Sequence, residues 1–164
     1  MNKRIQYFIT DRVTQIGLLL LIIIITASCY SIFIENALLQ NLNNRLLPIG
    51  SKNHLLGTDH YGRDILSRIV LGTGISIRVG LLASFISLIL GVSIGIISGY
   101  FGKQIDVIIM RFTDIMMAFP VLLFLIAISA AFDPNIHTTM ISIGLVSWPP
   151  MARLIRSQVL VLMS

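Results

Sequence analysis

Two histidines in a polar stretch, residues 54–64, are the first candidates for metal chemistry in this sequence. His54 and His60 stand six positions apart. A zinc site needs several histidine, cysteine or carboxylate ligands at defined spacing, and no second carboxylate or cysteine completes such a set here. The pair is therefore interpreted as solvated loop histidines. No metal site is predicted, and no hydrolytic group of residues accompanies the pair.

The glycines of the same stretch have the spacing of a phosphate-binding loop. Such a loop requires Lys and then Ser or Thr after its second glycine, but Arg63 and Asp64 follow Gly62. Asp64 would repel a phosphate. A calcium loop does not fit either, because Tyr61 and Arg63 occupy two of its ligand positions. We therefore predict that the chain has no nucleotide-hydrolysing site, no cofactor and no enzymatic activity of its own.

The composition places these residues in a membrane protein. The chain has 164 residues, of which 55% are hydrophobic and 12% charged, whereas soluble domains are about 25% charged. This excludes a disordered chain and argues against an ordinary soluble enzyme. The net charge of +5 comes from basic residues scattered between apolar blocks, which favours membrane-flanking cations over nucleic-acid binding. The single cysteine, Cys29, cannot form an intrachain disulfide.

Two uncharged runs are long enough to cross about 30 Å of hydrocarbon. The first is 16–34, for which a retained membrane helix is favoured over a cleaved signal peptide, although Lys3, Arg4 and Arg12 precede it. The second is 79–102. It carries small residues in steps of three or four, on one helical face where another helix can approach closely: Gly80, Ser84, Ser87, Gly91, Gly95 and Gly99.

Two further apolar runs follow. Residues 115–132 form a third predicted helix, with Pro120 near its start. Residues 136–148 form a fourth, which spans the bilayer only if the helix continues through Pro149 and Pro150 or the bilayer thins. Between the second and third runs, opposite charges stand three residues apart. They indicate either a helix start packed on a partner or a solvated loop: Lys103 with Asp106, and Arg111 with Asp114.

The polar segment after the first run predicts a short amphipathic helix at 61–71, capped by Thr58 or Asp59 and closed by Gly72. The predicted units are 1–78, a membrane helix plus an extracytoplasmic amphipathic segment, and 79–164. A cytoplasmic N-terminus is favoured because it places seven basic residues inside (Lys3, Arg4, Arg12, Lys103, Arg111, Arg153 and Arg156) and five outside (Arg45, Lys52, Arg63, Arg68 and Arg78).

Four blocks of the sequence resemble, in order and spacing, the permease subunits of ABC importers for dipeptides, oligopeptides and nickel. The resemblance covers about residues 54–162. Two positions depart from the family pattern: Gly74 replaces a usually basic residue and Arg78 a usually apolar one. The matching residues are Gly57, Thr58, Asp59, Gly62, Arg63, Asp64, Ser67 and Arg68; Gly99 to Gly102 with Asp106; Met110, Arg111, Asp114 and Pro120; and Trp148, Ala152, Arg153 and Arg156.

This resemblance implies an all-α, polytopic helical bundle in the cell membrane: the first three to four helices of the type I importer permease fold. It implies a function in transport, with a second permease subunit, two cytoplasmic ATPase subunits and an extracytoplasmic solute-binding protein as partners. A glycine-lined helix would then permit repacking between inward- and outward-facing states. Family members continue through a coupling loop, so a truncated permease is expected; the alternative is a stand-alone membrane protein without transport activity. The resemblance does not decide whether the solute is a peptide or nickel. His60 in the signature is suggestive of nickel.

Overall fold

A computed structural model describes residues 11–34, 37–133 and 135–163. Within them the chain forms five α-helices, which confirms the predicted all-α fold: α1 (Arg12–Tyr30), α2 (Ile65–Phe101), α3 (Lys103–Ala118), α4 (Val121–Ala131) and α5 (Ile136–Met163). Two short 3₁₀ turns, Ser31–Phe33 and Leu42–Asn44, lie between α1 and α2. The chain divides into two compact units, residues 1–77 and 78–164. Lys3 and Arg4, which the orientation argument used, lie outside the described residues.

The first unit contains a helix whose side chains are almost all exposed. α1 buries none of its residues, and Leu18 to Ile25 are each about half-exposed, as expected for a helix whose solvent is lipid. With its 3₁₀ extension it forms one of two described stretches, Arg12–Phe33 and Ile65–Phe101, that are long and apolar enough to cross a membrane. The first predicted membrane helix therefore forms at its expected place.

The predicted break between an amphipathic helix and the second membrane helix does not occur. α2 runs without interruption through Gly72 and is 37 residues, or about 55 Å, long. A single glycine inside a helix costs only about 1 kcal/mol, and Thr73 donates its Oγ1 hydrogen to the Ile69 carbonyl at 2.9 Å. The predicted caps are also wrong. Asp64 caps the helix, since its Oδ2 accepts the backbone N–H of Ser67 at 2.7 Å.

Gly74 lies where α1 ends against α2. A Cβ built on Gly74 would stand 2.6 Å from the Cβ of Ser31 and 3.4 Å from the carbonyl oxygen of Ser28. Ser31 is 3% exposed, and its hydroxyl donates to the Ser28 carbonyl at 2.6 Å. Gly74 is therefore the place where α2 packs on the Ser31 side chain and has no space for a side chain of its own.

Substitution of Gly74 tests this contact. We expect Gly74→Ala to destabilise the chain by about 1–3 kcal/mol, because the added methyl group overpacks the junction with Ser31. Gly72→Ala is the matched control, since nothing lies within 4 Å of its Cβ position, and it should stabilise by up to about 1 kcal/mol. Detergent-solubilised protein unfolded by heat or SDS gives both values. Equal effects at the two glycines would contradict the close approach.

The third predicted helix, 115–132, is wrong in its bounds. α3 ends at Ala118, Phe119 is extended, and Pro120 starts α4 after a bend of 86°. Proline disfavours helical geometry in the residue before it, so it ends α3 there. α4 alone has 11 residues, or about 16 Å. A third span in the described residues therefore requires the bent pair α3 and α4 together.

Pro149 and Pro150 behave differently from Pro120. α5 continues through both prolines for 28 residues, so the condition for the fourth apolar run to form one helix is met. α5 is nevertheless not among the helices apolar enough to pass as a membrane span. The two missing backbone N–H groups each remove a helical hydrogen bond. Burial offsets that cost, because Trp148 is 5% exposed, Pro149 under 2% and Ala152 0%.

Candidate functional site: the signature loop and the helix seam

In the first unit the signature residues form one hydrogen-bonded loop, residues 54–64, centred on Asp59. Its Oδ1 accepts the backbone N–H groups of Tyr61 at 2.8 Å and Arg63 at 3.0 Å. Its Oδ2 accepts the Nε–H of Arg63 at 2.8 Å and an Nη1–H of Arg68 at 2.7 Å. The side chain of Asp59 is 9% exposed. Asp59 therefore fixes both the turn after it and the first turn of α2.

Both carboxylates of the loop are stabilised in their charged form. Burial raises the pKa of Asp59, but the N–H groups of Arg63 and Tyr61 and the Arg63 guanidinium outweigh it and hold the pKa well below its usual range. Burial likewise raises the pKa of Asp64, and hydrogen bonds from Ser67 and His54 more than reverse this. Because both pKa values are lowered, these bonds stabilise the loop at neutral pH and weaken only below about pH 4.

The two glycines of the loop are required by backbone geometry. Gly57 and Gly62 have φ of +75° and +72°, a region that costs a residue with a Cβ and favours glycine. Between them and the preceding segment, Thr58 donates its hydroxyl to the Asn44 carbonyl and accepts the backbone N–H of Leu47 at 2.9 Å. The spacing that resembled a phosphate-binding loop is thus explained by two tight turns.

His54 is not the solvated residue that the sequence predicted. Its Nδ1 lies 3.0 Å from Oδ1 of Asp64, and its side chain is 18% exposed. His60 is exposed, with its ring 4.3 Å from that of Tyr61. Among the described residues, no group of three or more histidine, cysteine, aspartate or glutamate side chains is arranged to hold a metal. The loop is a structural element in which His54 supports the cap of α2.

In the second unit, three glycines of α2 lie directly against α5, and we call this contact the seam. A Cβ on Gly91 would stand 2.6 Å from the Cβ of Met151. On Gly95 it would stand 2.6 Å from the carbonyl oxygen of Ala152, and on Gly99 2.8 Å from the Cβ of Val159. These separations are shorter than real Cβ contacts allow. The two backbones therefore meet as in small-residue packing of membrane helices.

The other end of the predicted small-residue face is looser. Nothing lies within 4 Å of a Cβ on Gly80, and Gly80, Ser84 and Ser87 line an open groove of about 230 Å³. α5 contributes a glycine of its own, which was not predicted. A Cβ on Gly144 would stand 2.7 Å from the Cβ of Ile86. The spacing of two small residues, Gly144 and Ala152, by eight residues or about two turns places them on one helical face, and this pattern could have predicted a second small-residue face on α5.

Ion pairs between α3 and α5 accompany the seam. Asp106 pairs with Arg156 through both carboxylate oxygens, and Ser98 of α2 donates to its Oδ1 at 2.5 Å. Asp114 pairs with Arg153 at 2.5 Å. From the opposite charges three residues away, Lys103 and Arg111, the sequence left open a helix start packed on a partner or a solvated loop. In the described chain the arginine partners of both carboxylates lie 50 and 39 residues away.

The remaining signature residues of the second unit surround these pairs. The rings of Phe112 and Trp148 stack with centroids 6.1 Å apart, and Ala152 is fully buried. Arg111 is exposed on α3, and Pro120 forms the bend between α3 and α4. Blocks that are separate in the sequence thus meet in one three-helix contact. Ser98 was missed because a serine in an apolar run carries no signal for a charge partner on another helix.

The sequence is similar to those of known proteins. The profile described as "Binding-protein-dependent transport system inner membrane component" matches residues 91–164. The chain is 45% identical over 120 residues to a dipeptide transport system permease protein of Alkalihalophilus pseudofirmus, covering 73% of this chain and 39% of that protein. It is 39% identical over 158 residues to the dipeptide permease protein of Haemophilus influenzae, covering 92% and 54%.

An oligopeptide transport system permease protein of Bacillus subtilis is 36% identical over 155 residues, covering 93% of this chain and 50% of that protein. The chain thus spans about half the length of the curated relatives that it matches. The matched profile covers the seam and both interhelical ion pairs. Residues 91–164 belong to the family of inner-membrane components of binding-protein-dependent transport systems, and the chain is similar over most of its length to dipeptide and oligopeptide permease proteins.

Proposed function

We propose that the chain acts as a permease subunit of an ATP-driven importer and forms part of the pathway for dipeptides or oligopeptides. The observation that carries this proposal is the meeting of three signature blocks at the seam and its ion pairs. Side chains brought together from α2, α3 and α5 form a contact between helices with no catalytic group in it. Such a contact suits a protein that changes packing rather than covalent bonds.

The proposed solute is a peptide rather than nickel. The relatives are named for dipeptide and oligopeptide transport. His60, which suggested nickel, is an exposed loop residue, and the nearby His54 is engaged with Asp64. Each of these points favours a peptide over a metal cation.

The energy source is proposed to be a separate pair of ATPase subunits. Arg63 and Asp64 stand where a phosphate-binding loop needs Lys and Ser or Thr, and both side chains are engaged, with Asp59 and with His54. ATP hydrolysis is therefore assigned to other chains. A second permease subunit and an extracytoplasmic binding protein complete the proposed importer, with the N-terminus of this chain in the cytoplasm.

The proposed mechanism uses the seam as the moving contact. Close-packed backbones at Gly91, Gly95 and Gly99 let α2 and α5 move against each other without interlocking side chains. The Asp106–Arg156 and Asp114–Arg153 pairs hold the packed arrangement. ATPase closure shifts the equilibrium between two packings only by as much as it stabilises one over the other.

Solute uptake tests the proposal. In a strain deleted for the chromosomal gene, we expect the plasmid-borne gene to restore uptake of a radiolabelled dipeptide and to leave radiolabelled nickel uptake at background. The control is the same plasmid in a strain that also lacks the cognate ATPase genes, where dipeptide uptake should stay at background. Nickel uptake without dipeptide uptake would overturn the peptide assignment. Membrane expression with neither activity would favour a protein without transport function.

A further inference from the structure

An open apolar groove lies between α2 and the first turn of α5 in the second unit. It has a volume of about 750 Å³ and is lined by Arg78, Leu81, Leu82 and Phe85 of α2 and by Ile136, His137 and Met140 of α5. The four α2 residues follow the i, i+3, i+4, i+7 spacing of one helical face. Leu81 and Phe85 are 68% and 60% exposed. The groove is therefore a continuous apolar channel along the helix, with polar residues at one end.

The polar end of the groove is basic. Arg78 immediately precedes the uncharged run 79–102, so it stands at the level where hydrocarbon gives way to headgroups. His137 lies in the first turn of a 28-residue helix, whose N-terminal end carries partial positive charge. A guanidinium has five N–H donors, enough to hold an anionic oxygen in addition to protein partners.

We propose that this groove binds an anionic phospholipid, with its phosphodiester at Arg78 and His137 and an acyl chain along Leu81, Leu82 and Phe85. An amphiphile with negative charge at one end and hydrocarbon at the other complements the charge and polarity of the groove. Charge-assisted hydrogen bonds from arginine suit phosphate oxygens in particular. The site lies apart from the seam contacts at Gly91, Gly95 and Gly99, so this proposal does not depend on the proposed solute.

Native mass spectrometry of the chain purified in detergent tests the site. Phosphatidylglycerol and phosphatidylcholine with identical acyl chains are titrated separately. We expect the wild-type chain to retain phosphatidylglycerol roughly tenfold more strongly, because both lipids carry a phosphodiester but the choline cation of phosphatidylcholine cancels its charge beside Arg78. Arg78→Gln should reduce that preference to less than about twofold. Arg12→Gln, which removes an exposed arginine at the start of α1, is the matched control and should keep the preference.

A second variant separates the apolar half of the site from its charge. Leu81→Trp should fill the groove and weaken retention of both lipids while leaving their ratio unchanged. Equal losses in Arg78→Gln and Arg12→Gln would show general attraction of anionic lipid to a basic protein and would overturn the proposal. Displacement of phosphatidylglycerol by inorganic phosphate alone would show an ion site without a lipid. Cross-linking of Phe85→Cys to another subunit in membranes would show that protein covers the groove.

Discussion

Asp106→Asn will reduce the free energy of unfolding by about 1–3 kcal/mol, because the Asp106–Arg156 pair is part-buried and lies between exposed pairs, which contribute about 0–1 kcal/mol, and buried pairs, whose disruption costs about 3–5 kcal/mol. Asp106 and Arg156 are only 15% and 28% exposed. The change keeps the side-chain shape but leaves the Arg156 guanidinium without its charged partner, and it weakens the bond from Ser98. SDS-induced unfolding of the purified chain measures the loss, and dipeptide uptake should fall in parallel.

Asp114→Asn is the matched control because it breaks the neighbouring pair, whose members are 62% and 50% exposed. Exposed ion pairs contribute about 0–1 kcal/mol, so the control should unfold close to the wild type. An exchange of the two charges, Asp106→Arg with Arg156→Asp, should recover part of the loss. Equal destabilisation at Asp106 and Asp114, or no recovery in the exchange, would contradict the conclusion that the Asp106–Arg156 pair stabilises the packing of α3 on α5.

Gly95→Leu will force α2 away from α5. Even a Cβ at this position would stand 2.6 Å from the Ala152 carbonyl oxygen and 2.8 Å from the Cβ of Ile155, and a backbone oxygen has little freedom to retreat. Overpacking in a dense interior costs about 1–3 kcal/mol and occasionally more. We expect a loss of about 3 kcal/mol in stability and at least a tenfold loss of dipeptide uptake. The Gly91→Leu/Gly95→Leu double variant should abolish uptake.

Gly80→Leu provides the comparison on the same helix. Position 80 is exposed and has no atom within 4 Å of its Cβ position, so leucine should change stability by no more than about 1 kcal/mol. Uptake should stay close to the wild-type level. If both leucine variants transport normally, the close helix approach at Gly95 does not matter for function. If both leucine variants lose uptake equally, the loss is caused by replacing any glycine of α2 and not by disrupting the seam.

Local sequence patterns predicted where helices form but not where they end. Pro120 ends α3, whereas Pro149 and Pro150 lie inside α5. The proline ring has the same effect in each place, so the difference comes from burial of Trp148, Pro149 and Ala152, which only the folded chain reveals. Gly72 illustrates the same limit, because its local cost is too small to stop a helix.

The spacing of opposite charges along α3 left open whether this segment packs on a partner helix or forms a solvated loop, and contacts with α2 and α5 settle the question. Asp106 has Lys103 three residues away, yet its partners are Ser98 and Arg156. Spacing in sequence identifies candidates within a helix but holds no information about which face meets another helix. The resemblance to known permeases marked Asp106, Asp114, Arg153 and Arg156 as signature residues of three separate blocks, without indicating that they pair.

The four-residue spacing of Gly91, Gly95 and Gly99 has a consequence for the alignment of the two helices. A slide of four residues, about 6 Å, would set each glycine where its neighbour had been, so steric fit alone accepts more than one register. The bidentate bond of Arg156 to Asp106 does not survive such a slide. The glycines therefore permit several registers of α2 against α5, and the Asp106–Arg156 ion pair determines which register the helices adopt.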